Sequence, residues 1–423
     1  MSSAHFKSGF LTNFVARGAY FDCTDGPALD GLLHKERVTA YIGFDCTAPS
    51  LHVGSAVQIM TLRRLQQAGH RPIVVLGGGT TKVGDPSFRN EARPLLSEAE
   101  IETNKQAILK TFRNFLTFGD GPTDAIMVDN AEWLDRLEYV PFLREIGRHF
   151  SIGRMLSMES VKAKLDNDLP FSFLEFNYMI MQAYDFVELY RRYGCRLQSS
   201  GSDQWGNIVG GIDLGRRVES AQLFGLTTPL ITTSSGAKMG KTAAGAVWLN
   251  PDMCAPYEYW QFWRNTEDAD VGRFLRLFTD LPEDEIARLE ELQGAELNDA
   301  KKILATEATT LCHGRAAAQE AAETARRTFE EGAIAEGLPT FVMPELLQAS
   351  FQNGVSVASL AQASGVTVSI GEARRFIEGG GLRLNDVPVT DVKATVSPED
   401  LKEGVIKLSI GRKKHILIKP KPE

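Results

Sequence analysis

The chain has 423 residues, of which 43% are apolar and 24% charged, with a formal charge of −8. That length divides into about two to four domains, and the composition excludes a disordered or fibrous polymer. Five scattered cysteines form no CxxC pair for zinc or disulfide exchange and read as reduced thiols of a cytosolic protein. Charges interrupt each apolar stretch before the roughly 18 residues of a membrane span, and no basic region with an apolar core opens the chain, so neither membrane insertion nor export is expected.

In chain order, Thr39 to Phe44 is a β-prone run, Asp45 to Ser50 a turn, and His52 to Ala68 an amphipathic stretch: strand, loop, helix. Arg71 to Leu76 is apolar and β-branched and stops at Gly77, Gly78 and Gly79, which completes a βαβ unit and predicts a parallel sheet. Helical periodicity runs from Glu98 to Phe118. After an apolar run, Ala125 to Val128, it resumes and reaches about Tyr193. A short strand near Arg196 to Gln198 precedes a glycine-rich segment, Gly201 to Gly211. Leu230 to Gly245 is a Thr/Ser/Gly-rich loop carrying Lys238 and Lys241, and such a loop is expected to be mobile.

From Tyr257 to about Glu336 the pattern is helical and acidic, and Gly337 to Pro344 reads as a linker. The last segment changes grammar, with a short helix at Ile370 to Glu378 and β-prone runs at Leu382 to Val387 and Val405 to Ile410. From Gly354 onward basic residues outnumber acidic ones, so a positive α+β module is expected on an acidic body.

His52, Val53, Gly54 and Ser55 open the first helix. Glycine there lets a nucleotide approach the backbone, and the free amides and helix dipole attract phosphate. Alone, one such triplet is weak and reads more readily as an ordinary helix cap with an incidental histidine. About 190 residues later comes Lys238, Met239, Gly240, Lys241, Thr242, a basic loop suited to charge on a departing pyrophosphate. Tyr178, Gln182 and Asp185 are spaced i, i+4 and i+7, one face of one helix, and the apolar residues between them point to a buried polar column that needs partners.

Together with Tyr41 to Thr47, Gly84 to Ser87, Tyr178 to Asp185 and Gly201 to Asn207, these strings resemble class I aminoacyl-tRNA synthetases, specifically the bacterial tyrosyl-tRNA synthetases. The resemblance implies an α/β fold: a Rossmann-like parallel-sheet catalytic domain (1–229), a connecting segment with the lysine loop (230–256), an all-helical domain (257–340) and a small α+β S4-like RNA-binding domain (350–423). It implies that Tyr178, Gln182 and Asp85 bind the α-amino group of L-tyrosine, that Asp185 and Tyr41 receive its phenol, and that Gln204 meets its carboxyl group. Gly43, Asp45, His52, Gly54, Ser55, Gly201, Asp203 and Lys241 would hold ATP. Thr47, His52, Lys238, Lys241 and Thr242 would act on the pyrophosphate side, with Arg89 and Arg93 in a further loop there.

The implied reaction is attack of the tyrosine carboxylate on the α-phosphate of ATP, with Mg2+ accompanying the nucleotide, followed by transfer to tRNA(Tyr). No covalent enzyme intermediate, general base or structural metal is expected, so catalysis rests on positioning and charge stabilisation. An aspartate facing the phenol would leave an unsatisfied acceptor when phenylalanine enters, a larger loss than any methylene contact supplies, and no editing domain is then required. Tyrosyl-tRNA synthetases are themselves the standard example of that kind of discrimination.

Three positions depart from the commonest pattern. Ser55 replaces the second histidine of the first signature, Gly240 replaces the serine of the lysine signature and is expected to loosen that loop, and Phe88 and Arg89 stand where glycine and lysine are common. Toward the end, Gly371 to Ile377 and Gly380 to Asn385 resemble an S4-type RNA-binding domain, with Arg374 and Arg375 on its helix as phosphate contacts. A homodimer with one tRNA crossing both subunits is also implied. Two readings compete: a nucleotidylyltransferase, which would lack Tyr41 with Asp185 and the RNA-binding tail, and a non-catalytic RNA-binding relative.

Overall fold

Five short apolar runs become parallel neighbours in one sheet. They are β2 (Thr39–Phe44), β3 (Arg71–Leu76), β4 (Ile126–Asp129), β5 (Cys195–Gly201) and β6 (Phe224–Thr228), and a sixth strand, β1 (Asp22–Cys23), closes the edge. The order is β1-β6-β5-β2-β3-β4. The parallel sheet expected from the βαβ unit is thus formed, and β1 adds one antiparallel edge strand, pairing Asp22 with Thr227 of β6. This short strand covers an edge of β6 that would otherwise be open.

The computed structural model describes residues 6–87, 95–236, 239–242, 245–330, 338–402, 404–411 and 414–421. It divides into two compact units, Met1–Cys254 with Trp263–Gly314, and Ala255–Phe262 with Arg315–Glu423. The helical run between Pro256 and Glu330 is therefore shared between the two.

Local chemistry sets the ends of the helices in the first unit. α1 (Val53–Gln67) starts at His52, whose Nδ1 accepts the Gly54 N–H at 3.0 Å. α2 (Glu98–Phe115) and α3 (Phe173–Tyr193) each begin with a capping box, Ser97 with Glu100 and Ser172 with Glu175. Gly194 ends α3 in the left-handed conformation. α4 (Trp205–Glu219) packs along α3, where a Cβ on Gly211 would stand 3.2 Å from the Phe186 ring, so a glycine permits the close approach. Ile73, Val75, Val128, Ala183, Phe186 and Val187 bury the sheet–helix interface and fix the face that α3 presents to the strand ends.

The second unit holds a five-stranded sheet in the order Val387–Pro388, Leu382–Leu384, Ile406–Ile410, Lys414–Lys419, Thr340–Val342. α5 (Ile370–Glu378) covers it through Ala373 and Ile377. Asn385 and Asp386 adopt positive φ in a two-residue hairpin, the geometry of a type I′ turn. Lys407, 1% exposed along its side chain, is neutralised by Asp386 at 3.0 Å. Among the described residues no helix is long and apolar enough to cross a membrane, and no three His, Cys, Asp or Glu side chains gather as metal ligands.

Candidate active site

A cleft of about 650 Å3 opens where β2 and β5 end. Strand order reverses between these two neighbours, which is where open α/β sheets bind ligands. Tyr41, Gly43, Asp45 and Thr47 reach it from β2 and the loop that follows, and His52, Gly54 and Ser55 from the start of α1. Asp85 comes from the loop beyond β3, and Tyr178, Gln182 and Asp185 from α3. Gly201, Asp203 and Gln204 come from the end of β5. Lys238, Phe88, Arg89 and Arg93 lie outside the described residues, as do the side chains of Lys241 and Thr242, whose backbone pairs with Gly245–Ala246.

At the deep end, Asp185 is 4% exposed and both its oxygens are occupied. Asn130 Nδ2 donates to Oδ2 at 3.0 Å and Trp133 Nε1 to Oδ1 at 2.7 Å. Burial pushes the Asp185 carboxyl up to about 7, against the pull of these two donors toward the ionised form. Asn130 is itself fixed, accepting from the Gly79 N–H at 2.8 Å and donating to Thr80 Oγ1 at 3.0 Å. The Arg192 guanidinium lies 5.0 Å over the Trp133 ring. Tyr41 is buried, and its Oη has no partner among the described residues. Burial and the nearby Asp185 charge push the Tyr41 phenol well above its ordinary range, so it keeps its proton.

Asn130 and Trp133 were not foreseen from sequence. The available signal was their place immediately after the apolar run that became β4, since polar residues at the carboxyl end of a parallel strand face the ligand crevice.

Midway along the cleft, Tyr178 Oη donates to Asp45 Oδ2 at 3.0 Å, and Thr80 Oγ1 donates to Asp45 Oδ1 at 2.8 Å. Burial, followed by the charges of Asp45 and Asp85, pushes the Tyr178 phenol well above its ordinary range. Gln204 Nε2 donates to Asp85 Oδ2 at 2.9 Å, and Asn207 Nδ2 donates to Gln204 Oε1 at 3.0 Å. Gln182 Oε1 is buried without a partner among the described residues. The column predicted on α3 is thus formed, but Tyr178 is hydrogen-bonded to a residue expected at the nucleotide, and Gln204 to one expected at the amino group. Carboxylates gathered within a half-buried space favour a cationic group there.

At the mouth, residues 247–249 run antiparallel to 51–53. Val53 N–H donates to Val247 O at 2.9 Å and Leu249 N–H to Leu51 O at 2.8 Å, with the His52 and Trp248 rings edge to face at 6.2 Å. A Cβ on Gly54 would stand 2.6 Å from the His52 ring and 3.3 Å from Met239 O. Gly240 has φ +81°, and a Cβ there would come within 2.8 Å of Val53 Cγ2 and 3.1 Å of Gly54 N. Its carbonyl accepts from Val247 N–H at 3.0 Å. The lack of a side chain at Gly240 thus lets the loop backbone lie on the start of α1. Deeper in, a Cβ on Gly201 would meet Asp203 Oδ1 at 2.5 Å, so glycine there makes room for that carboxylate. In the second unit Arg374 and Arg375 are exposed on α5.

Residues 33–330 match the family of class I tRNA synthetases for tryptophan and tyrosine, and residues 360–401 match the S4 domain. The chain is 60% identical over 416 residues to the tyrosine–tRNA ligase of Nitrobacter winogradskyi, covering 98% of this chain and 99% of that protein. It is 60% identical over 417 residues to the tyrosine–tRNA ligase of Rhodospirillum rubrum, again covering 98% and 99%. Among solved structures it resembles the C-terminally truncated mitochondrial tyrosyl-tRNA synthetase of Aspergillus nidulans, with a TM-score of 0.69 and 30% identity over 76% of this chain and 94% of that one. With a mixed sheet, a cleft at its reversal point, both signature segments joined at the mouth and a separate S4 domain, the chain belongs to the bacterial-type tyrosyl-tRNA synthetases of class I.

Proposed function

We infer that this chain is a tyrosine:tRNA(Tyr) ligase. It activates L-tyrosine with ATP, releasing pyrophosphate, and transfers the tyrosyl group from the adenylate to the 3′-terminal adenosine of tRNA(Tyr). The observation that carries the reading is the buried Asp185, held at both oxygens by Asn130 and Trp133, beside the unpartnered hydroxyl of Tyr41. A phenol entering there meets a fixed acceptor and a hydroxyl able to donate or accept, whereas phenylalanine would leave both unmatched.

Along the cleft, the carboxylates of Asp45 and Asp85 with Tyr178 and Gln182 receive the α-amino group, and Gln204 orients the carboxylate that attacks. The backbone at Gly43, Gly54 and Gly201, with Asp203 and Ser55, takes the nucleoside. The amides of α1, with His52 and Thr47, face the triphosphate, which ATP brings with Mg2+ as part of the substrate. Lys238, Lys241 and Thr242 neutralise the departing pyrophosphate from the opposite side, with Arg89 and Arg93 adding charge there. Nothing in this scheme abstracts a proton, because the attacking carboxylate is already ionised; the rate comes from alignment and charge stabilisation.

Tyrosine-dependent ATP–pyrophosphate exchange, followed by charging of tRNA(Tyr), tests the reading. Folded protein that exchanges with no amino acid, or equally with phenylalanine, would refute it. Arg374 and Arg375 are assigned to tRNA phosphates. A homodimer is supported by exposed apolar side chains concentrated in one stretch of chain, among them Tyr139 at 64%, Val140 at 70%, Ile152 at 64% and Phe173 at 68%, and work in the cytoplasm is proposed from the likeness to bacterial tyrosine–tRNA ligases.

A further inference from the structure

The polar column of α3 does not start at Tyr178. Glu175 lies one turn earlier on the same face, at i with Tyr178 at i+3 and Gln182 at i+7, and it is buried. Its Oε1 accepts from Lys164 Nζ at 2.8 Å, and its Oε2 accepts from Ser172 N–H at 3.0 Å and Ser172 Oγ at 3.1 Å. The two side chains are 4% and 6% exposed, and Lys164 Nζ lies 5.3 Å over the Phe171 ring. Lys164 belongs to the helix Glu159–Asp166.

That helix stands behind the amino-acid site. Ser160, Val161 and Phe171 enclose a cavity of about 10 Å3 with Ser87, Tyr178 and Asn207. Two of these hold residues of the cleft, since Ser87 N–H donates to Asp85 Oδ1 at 2.9 Å and Asn207 donates to Gln204. The capping box of α3 does not need the lysine, because glutamine serves at the same position. Stability does not need it either, since a buried ion pair is often matched by apolar side chains of similar volume. What the pair adds is direction: a charge-assisted hydrogen bond whose length and angle tie the first turn of α3 to the wall behind it.

We propose that Lys164 and Glu175 are positioning residues for the tyrosine amino group, fixing the rotation and advance of α3 so that Tyr178 and Gln182 face Asp45 and Asp85 across the cleft. This rests on the tyrosine-activating reading of the site. Neither residue touches substrate.

The test is ATP–pyrophosphate exchange by the full chain, with the KM for tyrosine and the KM for ATP measured separately. Lys164→Met is expected to raise the tyrosine KM about tenfold, as small displacements of binding groups do, with the ATP KM changed less than about twofold. Lys164→Arg keeps the charge and a donor and is expected to restore the tyrosine KM. If Lys164→Met fails to fold, Lys164→Met with Glu175→Gln leaves no buried charge, keeps the cap and is expected to show the same split. Unchanged KM values, or equal increases in both, would overturn the proposal while exchange by the parent chain still upheld the function. Absence of tyrosine-dependent exchange in the parent would remove both.

Discussion

Gly240 lies so close to Val53 that a Cβ at position 240 would stand 2.8 Å from Val53 Cγ2. The two lysine-flanked residues Met239 and Gly240 are thereby laid against the first turn of α1. Gly240→Ala adds both this clash and a left-handed backbone penalty of roughly 1–2 kcal/mol. The expected outcome is a fall in adenylate formation on the order of tenfold, carried by the ATP terms and not by the tyrosine KM. Single-turnover formation of tyrosyl-adenylate measures it. An unaltered rate would place Gly240 away from Val53 in the working enzyme.

With Asp185 assigned to the tyrosine phenol, tyrosine binding is expected to depend on pH. Its carboxyl is raised to about 7 by burial, so the acceptor form is lost as pH falls through that value. Tyrosine affinity should therefore weaken about tenfold between pH 8 and pH 6 as that form is depleted, while ATP affinity stays level. The stability contribution has the opposite sense. A raised carboxyl favours the folded state below the unfolded value of about 3.9, and that contribution is lost as pH rises through about 7. Asp185→Asn should flatten the tyrosine profile, and Asp185→Ala should impair tyrosine use far more than ATP binding; equilibrium titrations across pH check both.

Removing one donor to Asp185 should do less than removing the acid. Trp133→Phe leaves Asp185 Oδ1 buried without its 2.7 Å donor. A stranded buried group costs about 1–3 kcal/mol, a factor of roughly 5 to 160, and because that cost falls on the ionised acceptor the tyrosine KM near neutral pH should rise by up to that range. Because that donor favoured the ionised form, the midpoint of the pH profile should also move upward. A rise in KM with no movement of the midpoint would mean that Trp133 only packs the pocket.

The S4 domain should contribute charge without chemistry. Arg374→Ala with Arg375→Ala is expected to weaken tRNA(Tyr) binding and to lower the slope of log affinity against log salt by about two, one for each lost phosphate contact. Tyrosine-dependent exchange without tRNA should be unchanged. Filter binding over a salt series decides it, and an unchanged slope would remove these arginines from the RNA face.

Elements governed by local chemistry were legible in the sequence alone. β2, β3 and the helix at Ile370–Glu378 fall where period and turn residues put them. The face shared by Tyr178, Gln182 and Asp185 followed from helical spacing. Contacts made across the sheet were not legible. Asn130 and Trp133 reach Asp185 over 55 and 52 residues, and Tyr178 reaches Asp45 over 133. No periodicity encodes such pairs; they exist only because β3, β4 and β2 end side by side. Glycine has two meanings, freedom in an open loop and permission for close contact, and the second is visible at Gly240 only through its neighbours Val53 and Gly54. The two-residue strand β1 was too short to carry an alternation.

Asn130 and Trp133 stand on the segment after β4, whereas the acid that they hold stands on α3. On the proposed assignment, amino-acid choice is divided between two stretches of chain that meet only in the folded protein. Grafting α3 from a relative with another preference would carry over the acceptor's replacement but leave behind a pair of N–H groups aimed at a carboxylate no longer present. On that assignment, a change of the acid alone leaves two buried donors unmet, so a change of substrate calls for changes in both stretches.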